Sequence, residues 1–187
     1  MFYRKDRNTF GGGVLIAANS TLLPQEIKLA SCNSELLFVR IKACIIICCY
    51  YRLPQCNNID NFIETLALVV QRYPKDMIIL IGDMNFPGFD WQRNIIKSNT
   101  PFKSLQQFQS FLVEHDMTQL IELPTHIKGN ILDLVCTNNA PSILTQIITP
   151  GISDHFIIDV QIHHCHPNSQ SKPKAYKMYH KADVNLF

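Results

Sequence analysis

Three short polar groups interrupt apolar runs in this chain. They are Gly-Asp-Met-Asn, with Asp83 and Asn85; Asp133 inside NILDLVCTN; and Ser153-Asp154-His155 inside GISDHF. Taken singly, each has an ordinary explanation. Asp and Asn suit turns because they hydrogen-bond locally, an Asp in a strand suits an exposed edge, and Ser-Asp-His suits a capped turn. Taken together they are reagents for phosphodiester hydrolysis. That reaction needs a water to lose a proton, a crowded phosphate to be stabilised and a leaving oxygen to be neutralised. A hard divalent cation held by carboxylates supplies charge stabilisation. Mg²⁺ takes oxygen ligands and keeps several waters, so a few carboxylates and an Asn suffice. Asp133, orienting or charging His155, would give either a general base or a cationic phosphate contact.

The elements that must position these groups are legible from periodicity. LLFVRIK alternates, with Leu37, Val39 and Ile41 on one face and Phe38, Arg40 and Lys42 on the other. ACIIICCYY is apolar on both faces, as in a central strand covered twice. From Asn58 to Tyr73, Ile59, Phe62, Ile63, Leu66, Val69 and Val70 follow helical spacing, with Asn58 as cap and Pro74 beyond the end. MIILI is a buried strand that ends at Asp83. A second helix is expected over 102–115, with Phe102, Leu105, Phe108 and Leu112 on its buried face. Short strands are expected at 118–121, 131–137, 143–149 and 155–163. Gly11-Gly12-Gly13 reads as a tight turn feeding the strand VLIAA. Strands broken by two helices point to an α/β domain.

Composition narrows the class. The chain has 187 residues, 47% of them hydrophobic and 17% charged, which suits one globular domain with a real core. A formal net charge of +2 permits a nucleic-acid partner without pointing to one. The N-terminus lacks the apolar core of a signal peptide, and no apolar run is long enough to span a bilayer. Seven cysteines without a CxxC pair suggest reduced thiols and an intracellular setting. Arg4, Lys5 and Arg7 read as a solvated charge run, and Phe89 and Trp91 as packing groups. His163, His164, Cys165 and His166 lack a second ligand pair at zinc-finger spacing, and adjacent strand residues face opposite ways.

In their order, GDMN, LDLV and SDH resemble the endonuclease/exonuclease/phosphatase superfamily. RKDRNTFGGGVLIA, CCYYRLP, GDMNFPGFDW, PTHIKGNILDLVCTN and GISDHFIIDV resemble, more narrowly, the endonuclease domain of non-LTR retrotransposons. The resemblance implies a four-layered α/β sandwich, two mixed β-sheets flanked by helices, over residues 1–164. Residues 165–187 would then be a linker or tail toward a reverse transcriptase region. It implies that Asp83 positions or deprotonates the attacking water with Asn85, and that Asp133 orients the catalytic His155. It further implies Asp154 as a candidate metal contact and Tyr51, with Tyr50 as the competing register, as the phosphate ligand. Mg²⁺ or Mn²⁺ is the implied cofactor and DNA the implied partner, within a larger polyprotein that acts in the nucleus.

One departure from the family pattern stands out. An Asn-bearing strand and a strand carrying a principal metal-binding Glu precede the region that FYRKDR resembles, and Glu26 and Glu35 fall in the wrong motifs to replace that Glu. The chain is therefore expected to lack the first strands of the fold and to leave an unpaired sheet edge. Two functions follow as expectations. One is a metal-dependent endonuclease that nicks target DNA for target-primed reverse transcription. The other is a catalytically inactive fragment that at most binds nucleic acid. A superfamily relative acting on abasic sites or phosphoinositides fits the retroelement-like motifs less well.

Overall fold

The computed structural model describes residues 1–9, 11–29, 34–42, 44–97, 102–151 and 153–163. The expected tail over 165–187 and the histidine cluster beyond His163 lie outside them. The first two strands, β1 (Phe2–Asn8) and β2 (Gly11–Ala17), form an antiparallel hairpin. One expectation is corrected here: the three glycines lie within β2 instead of in a turn before it. The basic FYRKDRN segment is β1, with Arg4 and Arg7 exposed as a solvated run requires and Tyr3 and Lys5 half-buried by alternation.

The chain continues through β3 (Gln25–Glu26), β4 (Glu35–Ile41), β5 (Ile45–Tyr51), α1 (Asp60–Arg72) and β6 (Met77–Asp83). A small hairpin of β7 (Phe89–Asp90) and β8 (Ile95–Ile96) follows, then α2 (Phe102–Glu114) and β9 (Thr118–Gln119). The last strands are β10 (Asp133–Thr137), β11 (Ile143–Ile148) and β12 (Ile157–Ile162). A six-stranded mixed sheet runs in the order β3-β4-β5-β6-β10-β9, with β5 and β6 its parallel pair. The α/β expectation is met.

Each central strand is read differently on its two faces. Even-numbered Leu36, Phe38, Ile46, Cys48, Tyr50, Ile78, Leu80, Leu134 and Cys136 pack under the two helices. Odd-numbered Ile79 and Val135 form a second cluster with Ile143 and with Ile147, Ile158 and Val160 of the β11–β12 hairpin. The β1–β2 hairpin lies against β4, and β2 reaches β5. The two hairpins belong to separate two-stranded sheets. Leu15, Leu144, Ile148 and Ile157 on them are exposed.

Helix α1 buries Phe62, Leu66 and Val69, as its spacing demands. The Asn58 side chain accepts from the Asp60 N–H at 2.8 Å, one residue before the true cap position, which Ile59 holds. In α2 the buried face is Leu105, Phe108, Phe111 and Leu112. Phe102 is exposed, so Phe111 takes the place expected of it. Phe102 is the first residue of helix α2, whose burial begins at Ser104.

Aromatic rings tie the helices to the sheet. Tyr50 stacks on Phe62 with centroids 3.9 Å apart, Phe62 meets Phe108, and Phe108 meets Phe86 and Trp91. Trp91 also lies edge-on to Phe89 at 4.7 Å, which bears out its reading as a packing group. The Pro- and Gly-broken loop after Asp83 is thus held down by rings seated on α2.

Gly82 is fixed by close approach of β5. A Cβ there would sit 1.8 Å from the Tyr50 carbonyl oxygen. Replacing Gly82 with Ala must push the two strands apart beside Asp83. Gly82→Ala is expected to cost about 3 kcal/mol or more, measured by urea unfolding.

Candidate active site

Strand register brings the first site residues together. β4, β5, β6 and β10 end side by side, and pairing aligns Glu35 with Tyr51, Tyr51 with Asp83, and Asp83 with Asp133. Residues opposite one another share a face, so the four project from one rim of the sheet, on the side away from the helices. Four strands at ordinary spacing place the ends of that row about 14 Å apart. The choice between the two tyrosines is decided by parity. Tyr50 is buried against Phe62, whereas Tyr51 stands in the row with the carboxylates.

Asp83 and Asn85 form a closed local unit. Asp83 Oδ1 accepts from the Asn85 N–H at 2.9 Å, and Asp83 Oδ2 accepts from Asn85 Nδ2 at 3.3 Å. Asn85 Nδ2 also donates to the Arg52 carbonyl at 3.2 Å, which orients the amide and turns its Oδ1 away from both acceptors. Asn85 has φ of 53°, a left-handed conformation that Asn tolerates better than most residues.

The residue that holds this turn is Arg52, which sequence reasoning passed over. It is 1% exposed, and its Nε donates to the Met84 carbonyl at 2.7 Å and its Nη2 to the Asn85 carbonyl at 2.6 Å. Nη1 donates to the carbonyls of Leu53 and Cys56, and the guanidinium lies 4.4 Å over the Phe86 ring. Its only advance signal was a charge immediately after a buried strand.

Burial pushes Asp83 up to about 6, and the neighbouring Asp133 charge adds to the rise; the Asn85 N–H, His155 and Arg52 partly oppose it. His155 Nδ1 lies 2.7 Å from Asp133 Oδ2, so the proton on Nδ1 is shared with that carboxylate and Nε2 is the second nitrogen. Burial works against protonation of His155, but the Asp133 hydrogen bond and the charges of Asp133, Asp83 and Asp154 outweigh it and raise its pKa. Behind Asp133, the buried Thr125 hydroxyl accepts the N–H groups of Leu132 and Asp133, each at 3.0 Å.

Asp154 falls into a neighbouring cluster. Its carboxylate lies 3.2 Å from Nε2 of the buried His126, whose ring meets the His155 ring edge-on at 4.9 Å. The His126 hydrogen bond is the chief reason that the Asp154 carboxyl stays below its ordinary value. The Lys128 N–H donates to His126 Nδ1 at 3.1 Å, which places the His126 proton on Nε2, facing Asp154. His126 is a second residue missed from sequence; PTHIKGN held the signal, because a turn closed by Gly129 returns the chain onto His155.

Among the described residues, two groups bring potential ligand atoms within 4.8 Å of one another: Asp83 with Asp133 and His155, and His126 with Asp154 and His155. Only the first suits a hard cation. It offers two carboxylates whose mutual repulsion a cation would relieve. In the second, His126 Nε2 carries a proton and cannot act as a ligand while Lys128 occupies Nδ1.

The site residues are half-buried, with the side chains of Asp133 and His155 20% and 31% exposed. A concavity lined by Val70, Pro74, His115 and Asn138 sits at the opposite end of the sheet, where β6 begins and β10 finishes.

Residues 45–159 match the family described as endonuclease–reverse transcriptase. Among solved structures, the endonuclease domain of TRAS1, a telomere-specific non-LTR retrotransposon, aligns with a TM-score of 0.55 and 17% identity, over 75% of this chain and 67% of that one. An endonuclease/exonuclease/phosphatase family protein from Leptotrichia buccalis aligns with a TM-score of 0.46 and 17% identity, over 69% of this chain and 53% of that one. The Haemophilus ducreyi cytolethal distending toxin gives 0.46 and 17%, over 75% and 58%. A comparison with curated proteins gives no match.

Two expected outcomes test this geometry. Arg52→Met leaves several carbonyls without donors and is expected to cost roughly 3 kcal/mol in urea unfolding, with Arg52→Lys recovering only part. The second concerns Asp83, whose folded-state pKa of about 6 exceeds the ordinary 3.8. The folded chain then holds a proton that the unfolded chain has released, so stability falls as pH rises through that window. In chelator-treated buffer, Asp83→Asn is expected to raise stability above pH 7 by about 1–2 kcal/mol, allowing for partial exposure. Below about pH 3 it should change little, since the carboxyl is then protonated in both states. Thermal melts across pH check this.

Proposed function

The chain belongs to the endonuclease–reverse transcriptase family, and we propose that its rim hydrolyses phosphodiester bonds in DNA. The observation that carries the reading is the pairing of His155 with Asp133 at 2.7 Å beside an Asp83 set opposite Asp133.

Asp83, with its proton affinity raised to about 6, accepts the proton of the attacking water. Asn85 shares the hold on that water through its outward amide oxygen. Tyr51, one strand away, donates its hydroxyl to a non-bridging phosphate oxygen. His155, protonated on both nitrogens and steadied by Asp133, presents its Nε2–H to the phosphate as charge builds there. The bond from phosphorus to the 3′ oxygen breaks, the departing oxygen takes a proton from solvent water, and a 3′-hydroxyl and a 5′-phosphate remain. Mg²⁺ or Mn²⁺ fits the oxygens of Asp83 and Asp133, with Asp154 a further carboxylate beyond His155, and when bound it supplies neutralisation of the phosphate charge.

Family membership supports a biological setting in which the nick primes reverse transcription. In that setting the chain works on chromosomal DNA in the nucleus, within a polyprotein that also carries the polymerase. One observation favours a second reading, DNA binding without cleavage. Glu35, the remaining carboxylate of the row, is taken up by an ion pair with Arg7 and so is not open to a metal.

Plasmid nicking separates the two readings. Cleavage is expected to require Mg²⁺ or Mn²⁺, and Asp83→Ala and His155→Ala are each expected to lower it by about 10²–10⁴-fold while melting as folded proteins. The rate should rise as Asp83 ionises, at or below about pH 6, and fall as His155 deprotonates above the ordinary histidine value of 6.5. A rate that climbs through the His155 transition to a plateau would make His155 the base instead. A folded chain that never nicks leaves only the binding reading.

A further inference from the structure

The ion pair at the end of the row is built more firmly than neutralisation requires. Arg7 Nε donates to Glu35 Oε1, and the Gly13 N–H donates to Glu35 Oε2 at 2.8 Å. Glu35 is 9% exposed, so both of its oxygens are anchored in a nearly dry position. The Arg7 guanidinium lies over the Tyr51 ring, 5.3 Å from its centroid. Beneath it runs Gly12, where a Cβ would come within 2.7 Å of Arg7 Cζ. A side chain at position 12 would displace the guanidinium, which gives this glycine a reason beyond its φ of +83°. Three neighbours, Glu35, Tyr51 and Gly12, thus fix one rotamer of a side chain that is still 36% exposed.

An ordinary surface ion pair is mobile and contributes little to stability. Here a guanidinium has been immobilised against the tyrosine of the row, on the same rim as Asp83 and Asp133. Planar guanidinium donors match phosphate oxygens. Glu35 stands two strands from Asp83, about 10 Å across the sheet. A polyanion crossing the rim therefore meets Arg7 after it has passed the acidic pair.

We propose that Arg7, preset by Glu35, Gly12 and Tyr51, is a phosphate-binding residue that receives a DNA backbone phosphate next to the one at Asp83 and His155. This rests on the reading of the rim as a DNA-cleaving site. It assigns Arg7 to binding, and it gives Glu35 the work of orienting Arg7 in place of holding a metal.

Salt dependence tests the assignment, because each neutralised phosphate contributes about 0.9 to the slope of log binding constant against log salt. The full chain is titrated onto a labelled DNA duplex of about two helical turns, with chelator present to stop cleavage. Arg7→Met combined with Glu35→Gln removes the pair without altering net charge. That double variant is expected to bind more weakly and to lose about 0.9 from the magnitude of the slope, while Arg7→Lys keeps the slope. Should the double variant not melt cooperatively, Arg7→Gln, which can still donate to Glu35, is read the same way. An unchanged slope in a folded variant overturns the assignment and leaves Arg7 as a partner for Glu35 alone. If the wild-type chain shows no salt-dependent binding to the duplex, the cleavage reading falls, and this assignment falls with it.

Discussion

A buried guanidinium holds the site in place. Arg52 follows directly on β5, and its donors go to the carbonyls of Leu53, Met84, Asn85 and Cys56. Burial lowers its proton affinity, yet an arginine begins high enough to stay charged. A lysine would offer a point charge and three donors on a flexible stem, too few and too loosely aimed for a planar array of carbonyls. Through this clamp the turn after β6 is tied to the end of β5. Asp83 and Asn85 then lie where Tyr51 and Asp133 can join them. The aromatic seat on Phe86 links the same clamp to α2 and thus to the main core.

The electrostatic character of the rim follows from that placement. Two carboxylates, Asp83 and Asp133, are opposite one another on adjacent strands, where close charges of like sign raise the cost of ionising both. His155 and Arg52 offset part of that cost. The residual strain favours anything that brings positive charge to the rim, whether a proton or a hard cation. His126 acts on the other side of His155, holding Asp154 with a proton whose position is set by the Lys128 N–H. The histidine therefore stands between two carboxylates, and adjacent residues of one turn hold them: Thr125 accepts from the Asp133 N–H, and His126 holds Asp154.

The sheet achieves this by treating its two faces differently. Even-numbered positions carry the helices and the aromatic ladder, while odd-numbered positions lead out to Glu35, Tyr51, Asp83 and Asp133 at one rim. A slip of one residue in β5 would put either Cys49 in the place of Tyr50, losing the Phe62 stack, or Arg52 in the place of Tyr51, losing the tyrosine of the row. Core packing and site geometry are therefore settled by the same register.

Sequence alone carried the local patterns. The helical spacing from Ile59 to Val70, the strand ending at Asp83 and the ordered polar groups at Asp83, Asn85, Asp133, Asp154 and His155 all depend on neighbours a few residues away. Such patterns are written directly in the chain. It misread the three glycines, because a glycine-rich strand lacks apolar periodicity. Their pairing with β1 is visible only once both strands are placed. The tertiary structure alone decided which tyrosine faces the rim, that Arg52 clamps the turn, that His126 holds Asp154, and that Arg7 is locked between Glu35 and Tyr51. Most of those contacts join distant segments, with Arg7 and Glu35, and His126 and Asp154, each 28 positions apart. The physical reason is that a hydrogen bond or ion pair between distant segments depends on register and crossing geometry, which composition and spacing do not encode.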